Sequence, residues 1–100
     1  MDQVEVFKAL SNKKRLEILA WLKEPEKHFP KQECGEFAKT GVCVGHIQQK
    51  SGLTQSTVSE YLSLLQRANL LIATRLGQWT HYKRNEEAIK KLGLHIQDEL

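Results

Sequence analysis

What the chain has little of sets the first limits. No apolar run approaches the roughly 20 residues of a membrane-spanning helix. The N-terminus, MDQVEVFKAL, lacks the basic-then-apolar order of a signal peptide, so a cytoplasmic location is expected. There is no internal repeat and no low-complexity segment. With only two cysteines, Cys34 and Cys43, the chain is expected to carry free thiols, metal ligands or a redox pair rather than a structural disulfide. Catalytic signatures are missing too: there is no G-x-S-x-G, no glycine-rich phosphate loop and no H-E-x-x-H. Either cysteine as nucleophile would need a histidine held by a third group, which nothing in the sequence suggests, so no enzyme is expected. The net charge of +3 and pI near 9.0 are compatible with nucleic acid without demanding it. One hundred residues make one domain, small enough that pairing with a second copy would help stability.

What is there is organised around Val44 to Leu71, VGHIQQKSGLTQSTVSEYLSLLQRANLL. Ile47 opens an apolar series that crosses Ser51-Gly52, is anchored by Leu53, and resumes with Val58, Tyr61, Leu62 and Leu65 at helical spacing. Two short helices therefore share one core. Gly52 suits a left-handed residue just past the first helix, and Thr54 can cap the second by accepting a backbone N–H. This is the order of a helix-turn-helix. At about 100° per residue from Val58, the residues Ser56, Ser59, Glu60, Ser63 and Arg67 fall opposite the core. Gln55 and Thr57 stand in the first turn. A merely solvated face would favour Lys, Glu and Ala, the better helix formers; here serine and glutamine dominate. Short hydroxyls let a helix sit deep in a major groove, Gln and Glu can hydrogen-bond base edges, and a helix N-terminus offers free N–H groups to phosphate. Double-stranded DNA is the expected partner. The competing function is a winged helix that meets a protein instead; phosphate binding weakens steeply with salt, whereas a mostly apolar protein interface does not.

Ahead of this stretch, Val4, Phe7 and Leu10 mark one face of a short helix that stops at Ser11-Asn12. Asn12 caps a second helix, KKRLEILAWLK, apolar almost all round and hence central, which Pro25 ends. Residues 25–42 lose periodicity and read as a long loop. After the helix-turn-helix, LLIATRL and WTHYKR are strand-like runs joined by Gly77-Gln78, a hairpin wing in which Tyr82 points inward. Its polar members Arg75, Gln78, His81, Lys83 and Arg84 could follow a phosphate backbone, or be ordinary solvated groups. A last helix starts at Asn85, with Glu86 and Glu87 in its first turn. The expected architecture is a single mainly α domain over residues 1–100, a winged helix-turn-helix in the order α-α-α-α-β-β-α. The helix-turn-helix occupies 44–69, the wing 71–84 and a terminal dimerisation helix 85–100. The stripe Ile89, Leu92, Ile96 and Leu100, with Val4 and Phe7, would leave an apolar patch that pairing hides, so a two-fold dimer is expected.

The order of helices and wing, with LSNKKRLEIL, VCVGHI, TQSTVSEYLSLLQRANLL and GQWTHYKR, resembles the ArsR/SmtB family of winged-helix repressors over nearly the whole chain. Ser56, Val58, Ser59, Leu62 and Leu65 stand where the family has its serine, valine, serine and leucines. Leu10, Arg15, Leu16, Ile18 and Leu19 fit a second signature, in which Asn12 and Lys13 replace an aspartate and a proline. The resemblance implies a homodimeric repressor that binds an inverted-repeat operator and releases it when an effector binds. It also places Cys43 where many relatives have a metal-binding cysteine. Gly45 replaces the second cysteine of arsenic sensors, and His46 the aspartate of the zinc and cadmium type. On the terminal helix Glu86 matches an acid, but Ala88 and Glu99 stand where histidines would be, so that second site is expected to be absent, and His95 and Asp98 to be surface residues.

His28, Cys34, Cys43 and His46 put two thiols and two imidazoles in nineteen residues, a soft set able to hold zinc or another thiophilic ion. Cys43 and His46, three apart, would share a helix face. The alternatives are a Cys34–Cys43 thiol switch, or a semi-buried Cys43 with a solvent-facing His28.

Overall fold

Helices begin where a side chain can receive the unpaired N–H groups of a first turn. In the computed structural model, which describes residues 2–33 and 35–100, Asp2 accepts from the Glu5 amide to start α1 (Gln3–Leu10). Asn12 does the same for Arg15, at 3.0 Å, to start α2 (Lys13–Lys23). Asparagine supplies the capping oxygen there that an aspartate would. Arg15 then closes the end of α1, its Nε donating to the Ala9 carbonyl at 2.7 Å and Nη2 to that of Lys8 at 3.0 Å.

The segment expected to be one long loop contains three short elements. These are α3 (Pro25–His28), α4 (Phe37–Thr40) and β1 (Val42–Cys43). Pro25 does not merely stop α2; its fixed φ starts the next turn. The helix-turn-helix follows as α5 (Val44–Ser51) and α6 (Gln55–Arg67), then β2 (Leu71–Leu76), β3 (Trp79–Arg84) and α7 (Glu86–Glu99). The wing is thus a three-stranded antiparallel sheet in the order β1-β3-β2, with Val42 opposite Tyr82 and Cys43 opposite His81. A two-residue strand carries no period of its own, which is why β1 is not legible in the sequence.

Side chains alternate between the two faces of this sheet. Leu71, Val42 and Tyr82 face the helices. Cys43, His81 and Thr74 face the other way. Pro30, Lys31 and Gln32, which follow α3, lie against that outer face around Cys43 and His81. Gln32 fastens this cover: its Oε1 accepts from the Cys43 amide at 3.2 Å, while its Nε2 donates to the carbonyls of Gly41 (2.8 Å) and Gly35 (3.1 Å). Gly41 has a φ of +89°, and a Cβ there would overlap the Tyr82 carbonyl.

The core lies where α2, α5, α6 and the sheet meet, around Ile18, Val42, Ile47, Val58, Leu62, Leu65 and Leu70. Contrary to expectation, α2 is not central on all sides; Ile18, Leu19 and Leu22 are buried while Leu16 and Ala20 are exposed. In α1 the buried residues are Val6 and Ala9, with Phe7 and Leu10 half-buried and Val4 62% exposed. The terminal helix requires a further correction. Leu92 is only 6% exposed and belongs to the chain's own core with Ala88, so it is not available to a second copy. Beyond it, residues 93–100 are exposed except for a half-buried His95; Ile96 is 42% and Leu100 77% exposed. Among the described residues no helix is long and apolar enough to cross a membrane.

Candidate nucleic-acid interface

Helix α6 is placed by its inner residues. Val58, Leu62 and Leu65 are buried, and their 3.6-residue period turns Gln55, Ser56, Ser59, Glu60, Ser63 and Arg67 outward, all six exposed. Its start is built by local hydrogen bonds. The Thr54 hydroxyl accepts from the Thr57 amide at 3.2 Å and donates to the Thr57 hydroxyl at 2.9 Å. Thr57 is half-buried and engaged in this cap, so it shapes the first turn more than it faces outward. The connection from α5 depends on Gly52, at φ +70° and ψ 8°, and on Ser51. The Ser51 hydroxyl, almost fully buried, donates to the Gln48 carbonyl and accepts from the Leu53 amide.

The other end of α6 closes on Asn69, at φ +64°, with the Leu70 amide bonded to the Leu65 carbonyl and the Asn69 amide to that of Gln66. Asn85 ties this end to α7. Its Nδ2 donates to Asn69 Oδ1 at 3.2 Å, while its own Oδ1 accepts from the Ala88 amide.

The wing residues differ in how free they are. Gln78 is exposed at the hairpin turn. Arg75, also exposed, folds over that turn, with Nε donating to the Gly77 carbonyl at 3.0 Å and Nη1 to the Thr80 hydroxyl at 3.3 Å. Lys83 is half-buried. Arg84 sits at the base of the hairpin with its side chain only 14% exposed. Its Nη2 donates to Glu86 Oε1 at 2.9 Å, and its Nε lies 2.9 Å from Oε2, near enough for ion pairing though off the hydrogen-bonding direction. Arg84 thus fastens the hairpin to α7.

Of the cysteine and histidine set, Cys43 and His46 line one cleft, as their spacing suggested. His28 is exposed on α3 and is not among the residues lining that cleft, and Cys34 lies outside the described residues. Cys43 is half-buried and free. It lines a cleft of about 460 Å³ with His46, His81, Lys31, Pro30 and Trp79. His81, expected on a phosphate-facing wing, is instead 1% exposed beneath the Gln32 segment. Nothing local to β3 could reveal that, because the cover comes from residues some fifty positions earlier. The Nδ1 atoms of His46 and His81 are both buried without a hydrogen-bond partner. Among the described residues no group of three or more His, Cys, Asp or Glu side chains is arranged to hold a metal ion. His95 departs from its expected surface setting, being half-buried with Nε2 unpartnered.

No protein-family profile matches the chain. Over all 100 residues, and the full length of both chains, it is 52% identical to YbzH, an uncharacterized HTH-type transcriptional regulator of Bacillus subtilis. It is 34% identical over 86 residues to an arsenical resistance operon repressor of the same organism, covering 86% of this chain and 69% of the relative. Among solved structures, the homodimeric winged helix-turn-helix DNA-binding domain of a Mycobacterium bovis protein superposes with a TM-score of 0.66. The two are 29% identical, with 94% of this chain and 73% of the other covered.

Proposed function

From the premise that this chain belongs to the ArsR family of winged helix-turn-helix transcriptional regulators, we propose how its own residues bind DNA. The protein is a DNA-binding transcriptional regulator and not an enzyme of its own. The observation that carries the reading is the sharp division of α6, with three apolar residues sealed inward and six polar ones exposed. Gln55, Ser56, Ser59, Glu60 and Ser63 read base edges in a major groove, while Arg67, Arg75, Gln78 and Lys83 place the backbone. Thr57 serves by holding the first turn, and Arg84 by holding the wing.

The protein acts in the cytoplasm as a two-fold dimer, a repressor that an effector releases. Val4, Ile96 and Leu100, with the half-buried Phe7 and Ile89, form the surface a second copy covers. Such symmetry sets two copies of α6 about 34 Å apart and calls for an inverted-repeat operator.

The test is an anisotropy titration against duplex DNA taken from the promoter of the protein's own gene. Ser59→Glu brings a like charge and extra bulk to the groove, and is expected to abolish binding while the thermal melt is unchanged. Parent affinity is expected to fall steeply between 50 and 200 mM salt, by roughly tenfold or more. Ser59→Glu binding as well as the parent would sink the assignment, and a salt-insensitive complex would point to a protein partner.

A further inference from the structure

We propose that Cys43 is a covalent acceptor site for small conjugated carbonyl compounds such as quinones, and that addition there releases DNA; the second half rests on the DNA-binding reading above. Three observations meet at this cysteine. It is the residue from which α5 starts, and no side chain caps that first turn. It lies directly opposite His81 across the β1–β3 ladder, so the two side chains leave the same face of the sheet. Finally, His81, 1% exposed, and His46, in the first turn of α5, each leave Nδ1 buried and unpartnered beside it. A buried polar atom left unsatisfied is costly, so two of them around one thiol ask for a proton or a ligand to share.

The cleft selects among soft partners. A metal ion would find no three-donor group among the described residues. A peroxide would need no cavity, whereas about 460 Å³ is the scale of a small organic ligand site. Trp79 and Pro30 give the cleft apolar surface for a planar conjugated ring, and Lys31 lines it as a cation beside Gln32 and Glu33. In the reaction an imidazole takes the thiol proton, and sulfur attacks the β-carbon. The C=C π pair moves through the carbonyl onto oxygen, where the Lys31 ammonium can meet it. The imidazole then returns the proton to the α-carbon. One S–C and one C–H bond replace one S–H and one C=C π bond; nothing leaves and no oxidant is consumed. The adduct fills the space between the start of α5 and β3, so it pushes the helix-turn-helix and the wing apart.

The Cys34→Ser variant leaves Cys43 as the only thiol. Its addition rate with 2-methyl-1,4-benzoquinone and with N-ethylmaleimide is followed by intact mass, for the folded protein and for the same protein in urea. The folded thiol is expected to react at least about tenfold faster, as a positioned base allows. His46→Gln, at a half-buried position, should lower that rate several-fold without moving the thermal melt; His81→Gln extends the test if it folds. Equal folded and unfolded rates, or no effect of His46→Gln, would overturn the site. In the DNA arm, quinone-treated Cys34→Ser protein should lose at least about tenfold in operator affinity while Cys43→Ser is indifferent. Full affinity retained by the adduct would overturn the regulatory half. A protein that reacts rapidly yet never binds duplex would instead overturn the DNA reading and leave the addition site supported.

Discussion

Gly41 shows what one atom can do in this fold. Its φ of +89° is one that side chains rarely adopt, and a Cβ would meet the Tyr82 backbone across the sheet. Gly41→Ala is therefore expected to lose at least about 2 kcal/mol of stability in urea unfolding; an unchanged midpoint would show that β1 can shift freely. Its neighbour Tyr82 has its phenol pushed above the ordinary tyrosine value by burial. The folded state thus holds that proton more tightly than the unfolded one. Its stabilisation is complete below about pH 10, where an unfolded tyrosine titrates, and is lost as pH rises from there through the folded value. Unfolding measured from pH 9 to 11.5 should show a steeper decline for the parent than for Tyr82→Phe. Residues whose role is settled within four positions were legible in the sequence: Asn12, Gly52, Thr54 and Asn85 all cap or terminate helices where their chemistry requires. His81 and Leu92 were not. The environment of His81 depends on the distant Gln32 segment, and a stripe on α7 cannot say which of its residues the chain's own core will claim.

Among the elements, α6 is the most complete local statement, since period, cap and outward face agree in one stretch. Its C-terminal end holds a feature no periodicity announces, the left-handed Asn69 that lets Leu70 turn back onto the core. Asn69→Ala is expected to cost about 1 kcal/mol, because alanine resists that backbone conformation. Asn69→Gly should cost less despite losing the Asn85 contact, and thermal melts of the two variants decide the point: equal losses would mean that the side-chain hydrogen bond, not the backbone, matters. The segment before β1 was the least legible element. Its two single turns and two-residue strand are too short to carry a pattern, and they exist because β3 offers an edge to pair with and Gln32 ties the connection down.

At the scale of the whole molecule, the described chain extends 42 Å along one axis and at most 26 Å across it. The second half of α7 adds exposed apolar side chains that none of the described residues covers. Ile96→Asp, a change at an exposed position that leaves the buried Ala88 and Leu92 in place, is expected to yield a folded monomer at micromolar concentration, seen by sedimentation. Its affinity for an inverted repeat should fall by at least about tenfold, since a single copy engages one half-site. A variant that still sediments as a dimer would place the pairing surface elsewhere. Pairing through that half-helix, as proposed above, would also set how the protein counts itself. Below the dimer dissociation constant the paired species grows with the square of total chain, so halving the chain concentration removes about three quarters of it. A gene held by such a regulator would answer to the regulator's concentration more steeply than to any single affinity, and would be freed first where synthesis falls behind growth.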